Sequence, residues 1–202
     1  MIEIEVEDDA WTEALPDVEA VGRRAAEAAL LPLSRDAGEV DRRLGVETEG
    51  VCAGRPTPPQ SSAAQPTAPP LRGRAEDVIT LLLTDASTVR ELNARFRGRD
   101  AATNVLSFPA APSAAPHLGD VALAFGVCAD EARAQGKPLA HHLQHLVAHG
   151  VLHLLGWDHQ DEAEAEAMEA TERAILAALG VPDPYADPTP GRAPSLSDPA
   201  DA

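Results

Sequence analysis

Ile2, Ile4 and Val6 alternate with Glu3, Glu5 and Glu7, a period of two that predicts a half-buried strand over residues 2–7. An alanine-rich stretch from Asp17 to Leu31, closed by Pro32, predicts a helix. Val78 to Leu83 is a dense apolar run of β type. Asp85 or Ser87 can cap a short helix that ends at Gly98. Thr103–Phe108 and Asp120–Phe125 read as two further strands. A helix then runs to Gly136, another from Leu139 to Leu155, and a last one from about Asp161 to Leu179, where Gly180 stops it. Four strands and about five helices predict a single α+β domain with a mixed sheet, the helix over 139–155 packed against it.

That penultimate helix carries the chemistry. His149 and His153 stand four apart in an apolar run, so both imidazoles emerge on one face, a turn apart. Gly156 follows where a helix would end on a left-handed residue. Only Trp157 and Asp158 are then needed to swing His159 back toward the first two. Three converging imidazoles predict a metal site for one zinc per chain, and the spacing offers no fourth protein ligand. A three-ligand zinc keeps a position for water, which marks a catalytic site rather than a structural one.

The spacing H-x3-H-x2-G-x2-H is also that of a long zinc-protease motif, in which the residue after the first His is a glutamate acting as general base. Here that residue is Gly150, which holds no proton, so peptide hydrolysis is disfavoured. His145 extends the ladder by one step and could serve behind the ligands or touch phosphate, but His141, His142 and His145 are each expected to be solvated or satisfied in the core. His117 carries no signal. Asp158 has three open roles: a hydrogen-bond partner for a ligand histidine, a general base, or a cap of the turn, with the base the least favoured. The acids Asp161, Glu162, Glu164, Glu166, Glu169 and Glu172 read as the solvated face of the last helix.

Composition narrows the picture. Six prolines between Pro56 and Pro70, among Ser, Ala, Gln and Thr, cannot bury enough apolar surface to offset chain entropy. Residues 34–76 are therefore expected to be a disordered insertion, and residues 186–202 a disordered tail. The formal net charge is −17. Residues 1–76 hold 15 acids and 8 bases, residues 77–160 hold 8 and 6, and residues 161–202 hold 10 and 2. The motif-bearing segment is thus nearly neutral, and its bases gather at Arg90, Arg95, Arg97 and Arg99, with Arg133 and Lys137 just ahead of the histidine helix. A local basic cleft on an acidic body is compatible with a phosphate-bearing substrate; tight non-specific binding to nucleic acid is not. Arg95 and Arg99 read equally well as solvated helix-end charges. Cys52 and Cys128 lack metal-ligand spacing and are assigned neither a zinc nor a disulfide. No apolar run approaches the roughly 18 residues of a membrane span, and no signal peptide is recognised, so a cytoplasmic protein is expected.

With these residues in view, the chain resembles the YbeY family of bacterial zinc-dependent endoribonucleases. The family signature H-G-x-L-H-L-x-G-x-D-H is matched at every defined position from His149 to His159. Three further blocks match in order: Leu92–Asp100 with Thr103–Pro109, Leu118–Val121, and Gln135–Leu139. The resemblance covers roughly residues 77–185 continuously, the expected catalytic core, and the first 30 residues more loosely; residues 1–33 are expected to supply the N-terminal strand and helix of the domain. It implies His149, His153 and His159 as zinc ligands and Arg97 as a residue important for activity. It also implies a single-strand-specific endoribonuclease in late ribosome biogenesis, maturing 16S rRNA, with ribosomal RNA and the small subunit as partners. The 34–76 insertion has no counterpart in the compact family pattern and leaves room for a protein partner. By resemblance alone, Asn104 and Ser107 could hold phosphate; turn and strand hydrogen bonding would equally explain them.

On this reading zinc activates a water or polarises a phosphate oxygen, and the planar fork of Arg97 neutralises charge building on the phosphorus centre. Two other classes remain in play: a non-catalytic ribosome-assembly factor that binds zinc, and a zinc hydrolase acting on another substrate. The small number of aromatic residues, 3% of the chain, favours the first of these mildly, since single-strand binders gain affinity by stacking. The open ligand position on the zinc argues against it.

Overall fold

The computed structural model describes residues 1–31, 76–159 and 161–186. Apart from Glu76 and Ala186, the expected insertion over 34–76 and the expected tail over 186–202 lie outside the described residues. The chain forms an α+β domain in the order β1 (Ile2–Val6), α1 (Ala10–Ala14), α2 (Val18–Leu30), β2 (Val78–Thr84), α3 (Ala86–Arg97), β3 (Val105–Pro109), β4 (His117–Ala124), α4 (Phe125–Ala134), α5 (Leu139–Leu154) and α6 (Glu162–Ala178). The helix not foreseen is α1, a five-residue turn of chain whose Trp11 is buried against Phe125 and donates from Nε1 to the carbonyl of Thr84 at 3.2 Å. One turn of helix is too short to show a periodicity.

The sheet has the order β1-β2-β4-β3, with β1, β2 and β4 parallel and β3 antiparallel to β4 at one edge. The mixed sheet follows from its residues. Strand β2 reads Val-Ile-Thr-Leu-Leu-Leu-Thr and is covered on both faces, as a central parallel strand must be. On one face Ile79, Leu81, Leu83, Val121 and Leu123 join α2, α5 and α6 in the main core. On the other, Val89 of α3 packs with Leu106, Ala122 and Ala124 in a smaller one. Helix α5 therefore lies between the sheet and α6, and its buried residues include Leu143, Val147, Val151 and Leu152.

Local signals fix the ends of the elements that matter. Asp85 accepts from the backbone N–H groups of Ser87 and Thr88 at 2.6 and 2.9 Å, capping α3. Its carboxyl is held down at about 2, by the Ser87 hydroxyl first and the Thr88 N–H next. Gly98, at φ 67°, ends the same helix in the left-handed region.

Candidate metal centre and its cleft

His149 and His153 lie on α5, and the turn after it brings His159 to them. The N–H of Trp157 reaches the carbonyl of Leu152, and that of Gly156 reaches His153, both at 3.0 Å. This paired release closes the helix around Gly156 at φ 87°, a value that a residue with a Cβ rarely adopts. Asp158 Oδ1 then accepts from the backbone N–H of His159 at 2.8 Å and holds the bend. One ring nitrogen from each of His149, His153 and His159 lies within 4.8 Å of the others, an arrangement that could hold a metal ion.

The protonation state of these rings follows from their outer partners. Nδ1 of His149 stands 2.7 Å from Oε1 of Glu172, and Nδ1 of His153 stands 2.9 Å from the carbonyl of Trp157. Carboxylate and carbonyl oxygens only accept, so each Nδ1 carries the proton. In the neutral rings each Nε2 is then an acceptor, and the two stand 3.1 Å apart. Two acceptors at that distance repel unless a cation stands against both. Burial first, and the neighbouring His149 second, push His153 below the usual imidazole range, so it stays neutral and able to ligate. The donor set therefore fits a metal that accepts imidazole nitrogen.

Glu172 corrects the expectation of a solvated acidic face on α6: its side chain is 1% exposed. One oxygen takes His149, and the other takes Nε2 of His145 at 3.1 Å and the hydroxyl of Tyr185. Burial alone would raise its carboxyl; the hydrogen bonds from His145, His149 and Tyr185 outweigh that and hold it at about 2. Burial and the adjacent Glu172 carboxylate push the Tyr185 phenol up, which keeps it a donor. Sequence patterning missed Glu172 because it sits among acids of which no other is buried. The available signal was its position beside Met168, Ile175 and Leu176 on the apolar stripe.

The triad opens into a cleft of about 580 Å³ whose facing wall is built by Arg97, Thr103, Asn104, Val105, Ser107 and Pro109. Arg97 leaves the last turn of α3 and donates from Nη2 to the carbonyl of Ser107 at 3.0 Å, which lays its guanidinium along the edge strand β3. Asn104 is committed to the wall itself. Its Oδ1 accepts from the N–H of Val105 at 2.7 Å, and its Nδ2 donates to Oε2 of Glu131 at 2.9 Å. The same carboxylate oxygen accepts from Nε2 of His142 at 2.9 Å, a ring only 4% exposed. So His142 is satisfied in the core, His145 stands behind His149, and His141 lines a separate hollow with Lys137 and Asp183. Cys128 is buried, its thiol pushed up to about 12 by burial and then by Glu131, consistent with a packing role.

Gly150 does not face the triad. A Cβ there would stand 2.7 Å from Cγ1 of Val121 and 3.2 Å from Oγ of Ser107. The glycine allows α5 to approach the sheet, and a glutamate at this position would be directed into β4.

A second cavity of about 190 Å³ touches the triad from behind, lined by His149, His159, Met168, Glu169, Glu172 and Tyr185. The imidazoles thus stand between a wall bearing an arginine and a wall bearing carboxylates. No described helix is long and apolar enough to cross a membrane.

Comparison with known proteins agrees with the motifs. The family model described as endoribonuclease YbeY matches residues 65–180. A protein of that name from Paramagnetospirillum magneticum is 42% identical over 194 residues, covering 92% of this chain and 96% of its own. One from Rhodopseudomonas palustris is 57% identical over 114 residues, 54% of this chain and 60% of the relative's length. One from Maricaulis maris is 53% identical over 124 residues, 61% and 78% of the two chains. Matched over more than half its length by the family model, and over nearly all of it by one relative, the chain belongs to the endoribonuclease YbeY family.

Proposed function

We propose that this chain is a zinc-dependent endoribonuclease that cuts single-stranded RNA in the cytoplasm, in the maturation of small-subunit ribosomal RNA. The observation that carries the reading is the convergence of ring nitrogens of His149, His153 and His159, with the Nε2 atoms of the first two 3.1 Å apart and each of their Nδ1 atoms turned to an acceptor elsewhere. His149, His153 and His159 would hold one zinc. When bound, zinc supplies a Lewis acid for a phosphoryl oxygen and lowers the pKa of its water to about 7.

The chain's own residues do the rest. Glu172 keeps the proton of His149 on Nδ1, and the Trp157 carbonyl does the same for His153, so both Nε2 atoms stay free for the metal. Arg97 is the catalytic residue of the facing wall. Its guanidinium, anchored on Ser107, offers its remaining N–H groups to a phosphodiester in the cleft and neutralises charge as the phosphorus centre gains a bond. The Asn104–Glu131–His142 chain fixes that wall relative to α5.

The test is incubation of the purified chain with a single-stranded oligoribonucleotide, with and without chelator. Cleavage that chelator abolishes, zinc restores and His153→Ala lacks is the expected result. Cleavage that survives both treatments would overturn the proposal. End-group analysis of the products then separates attack by water from attack by the RNA's own 2′-hydroxyl.

A further inference from the structure

The last turn of α3 carries an aromatic ring that the fold leaves out. Phe96 keeps 58% of its surface exposed. Phe108 meets it edge-on, with centroids 5.2 Å apart and planes at 63°, and the Arg95 guanidinium lies 5.1 Å from its centroid. Single exposed apolar residues are ordinary. The surroundings of this one are not. The next residue, Arg97, is the arginine of the cleft, and Phe108 follows Ser107, on whose carbonyl Arg97 rests. Phe96–Phe108 and Arg97–Ser107 are therefore consecutive links between α3 and the edge strand β3: Arg97 and Ser107 line the cleft, and the exposed ring lies one residue along, against Phe108 on the α3 face of the sheet.

Charge points the same way. The whole chain holds 33 acids against 16 bases, whereas residues 86–99 hold four arginines and one glutamate. Arg90 is tied to Asp100 by two hydrogen bonds, at 2.5 and 2.8 Å. Arg95, whose guanidinium lies against the ring, and Arg97 and Arg99 of the same segment are exposed. An aromatic face with one guanidinium against it and two more within three residues of chain is the chemistry that holds an unpaired base together with its flanking phosphates.

We infer that Phe96 is a nucleobase-stacking subsite: a base of the strand lying in the cleft stacks on its ring, and the adjoining phosphates meet Arg95, Arg97 and Arg99. The inference rests on the proposed RNA substrate and adds to it a position where the base, not the backbone, is held. Because every base has a π-face, the subsite favours unpaired over paired RNA and is tolerant of sequence.

Steady-state cleavage by the zinc-loaded full chain tests it. Phe96→Ala should raise KM by about five- to a hundredfold, the range for loss of one base stack, with kcat within about twofold. Phe96→Tyr and Phe96→Trp should behave as wild type. Phe96→Leu should resemble Phe96→Ala, since it keeps apolar bulk and lacks the π-face. Scanning one abasic site along the oligonucleotide should find a position that raises KM for wild type and adds nothing in Phe96→Ala. An unchanged KM in Phe96→Ala, a wild-type KM in Phe96→Leu, or a penalty independent of every abasic site would overturn the subsite. In each of those cases wild-type cleavage would leave the proposed function standing; a wild-type chain that neither cuts nor binds RNA would overturn both.

Discussion

Gly150→Ala sets two effects against each other, and the geometry decides between them. Alanine in a helix interior is favoured over glycine by about 1 kcal/mol, so helix propensity alone predicts a more stable protein. The added methyl would stand 2.7 Å from Cγ1 of Val121, 3.3 Å from Cγ2 and 3.2 Å from Oγ of Ser107. Val121 is fully buried on β4, with a β-branched side chain that has little χ1 freedom, so it cannot swing aside. Overpacking of this kind costs about 1–3 kcal/mol. The net effect should be destabilisation of up to about 2 kcal/mol, read as a lower urea midpoint at unchanged m-value. Val121→Ala removes the obstructing methyls, so the double variant should be more stable than the two single changes sum to, by roughly 1 kcal/mol or more. Metal content should be retained, because His149 and His153 leave α5 on another face. A Gly150→Ala protein that gains stability, or strict additivity in the double variant, would refute close packing of α5 on the sheet as the reason for this glycine.

Glu172→Leu should lower zinc affinity about 10–100-fold, measured by competition with a chromophoric chelator, because His149 loses the partner of its Nδ1 proton; unchanged affinity would remove Glu172 from the site. His149→Ala, His153→Ala and His159→Ala should each abolish stoichiometric zinc in the purified protein, assayed by metal analysis, and full zinc in His159→Ala would remove the third ligand. Asp85→Ala should cost about 1 kcal/mol of stability at neutral pH through loss of the α3 cap. Its carboxyl is depressed to about 2 in the fold, so the cap's contribution is complete above the unfolded value near 4 and fades as pH falls toward 2. The gap between wild type and Asp85→Ala in urea titrations should close over that window, and a gap that persists at pH 2 would count against it.

The elements were legible wherever the chain repeats its signal. Alternation in Ile2-Glu3-Ile4-Glu5-Val6 marks β1, and Asp85 and Gly98 bracket α3 as a cap and a left-handed stop. The convergence of His149, His153 and His159 was legible because an i, i+4 pair and a glycine release are local devices. What lay hidden depends on contacts between distant segments. Glu172 is one acid among six, and only the packing of α6 on α5 makes it the buried one. The commitment of Asn104 to Glu131 and His142 joins three elements that are adjacent only in the fold. Gly150 shows the limit of a shared ligand spacing: in the protease pattern the neighbouring position carries the base, whereas here the helix is turned so that this position faces β4.

The acidity of the chain bears on how an anionic strand could reach the triad. Charges farther apart than about 8 Å are largely screened at physiological ionic strength, so local charge counts for more than the total of −17. His149 and His159 line both the large cleft and the smaller cavity behind it. The cleft wall offers Arg97; the rear cavity offers the charged Glu172 and also Glu169, which is paired with Arg173 at 2.9 Å. A phosphodiester is therefore drawn to the imidazoles from the α3–β3 side and repelled from the α6 side. Glu172, which orients His149, and Glu169 beside it in the rear cavity give the site its polarity. Neutralising Glu169 should relax that polarity without touching a proposed ligand. Glu169→Gln should lower KM for RNA modestly at low salt, with the difference fading as salt rises, because the interaction is exposed and screened. A KM indifferent to Glu169 at low salt would mean that the strand is steered by the arginine wall alone.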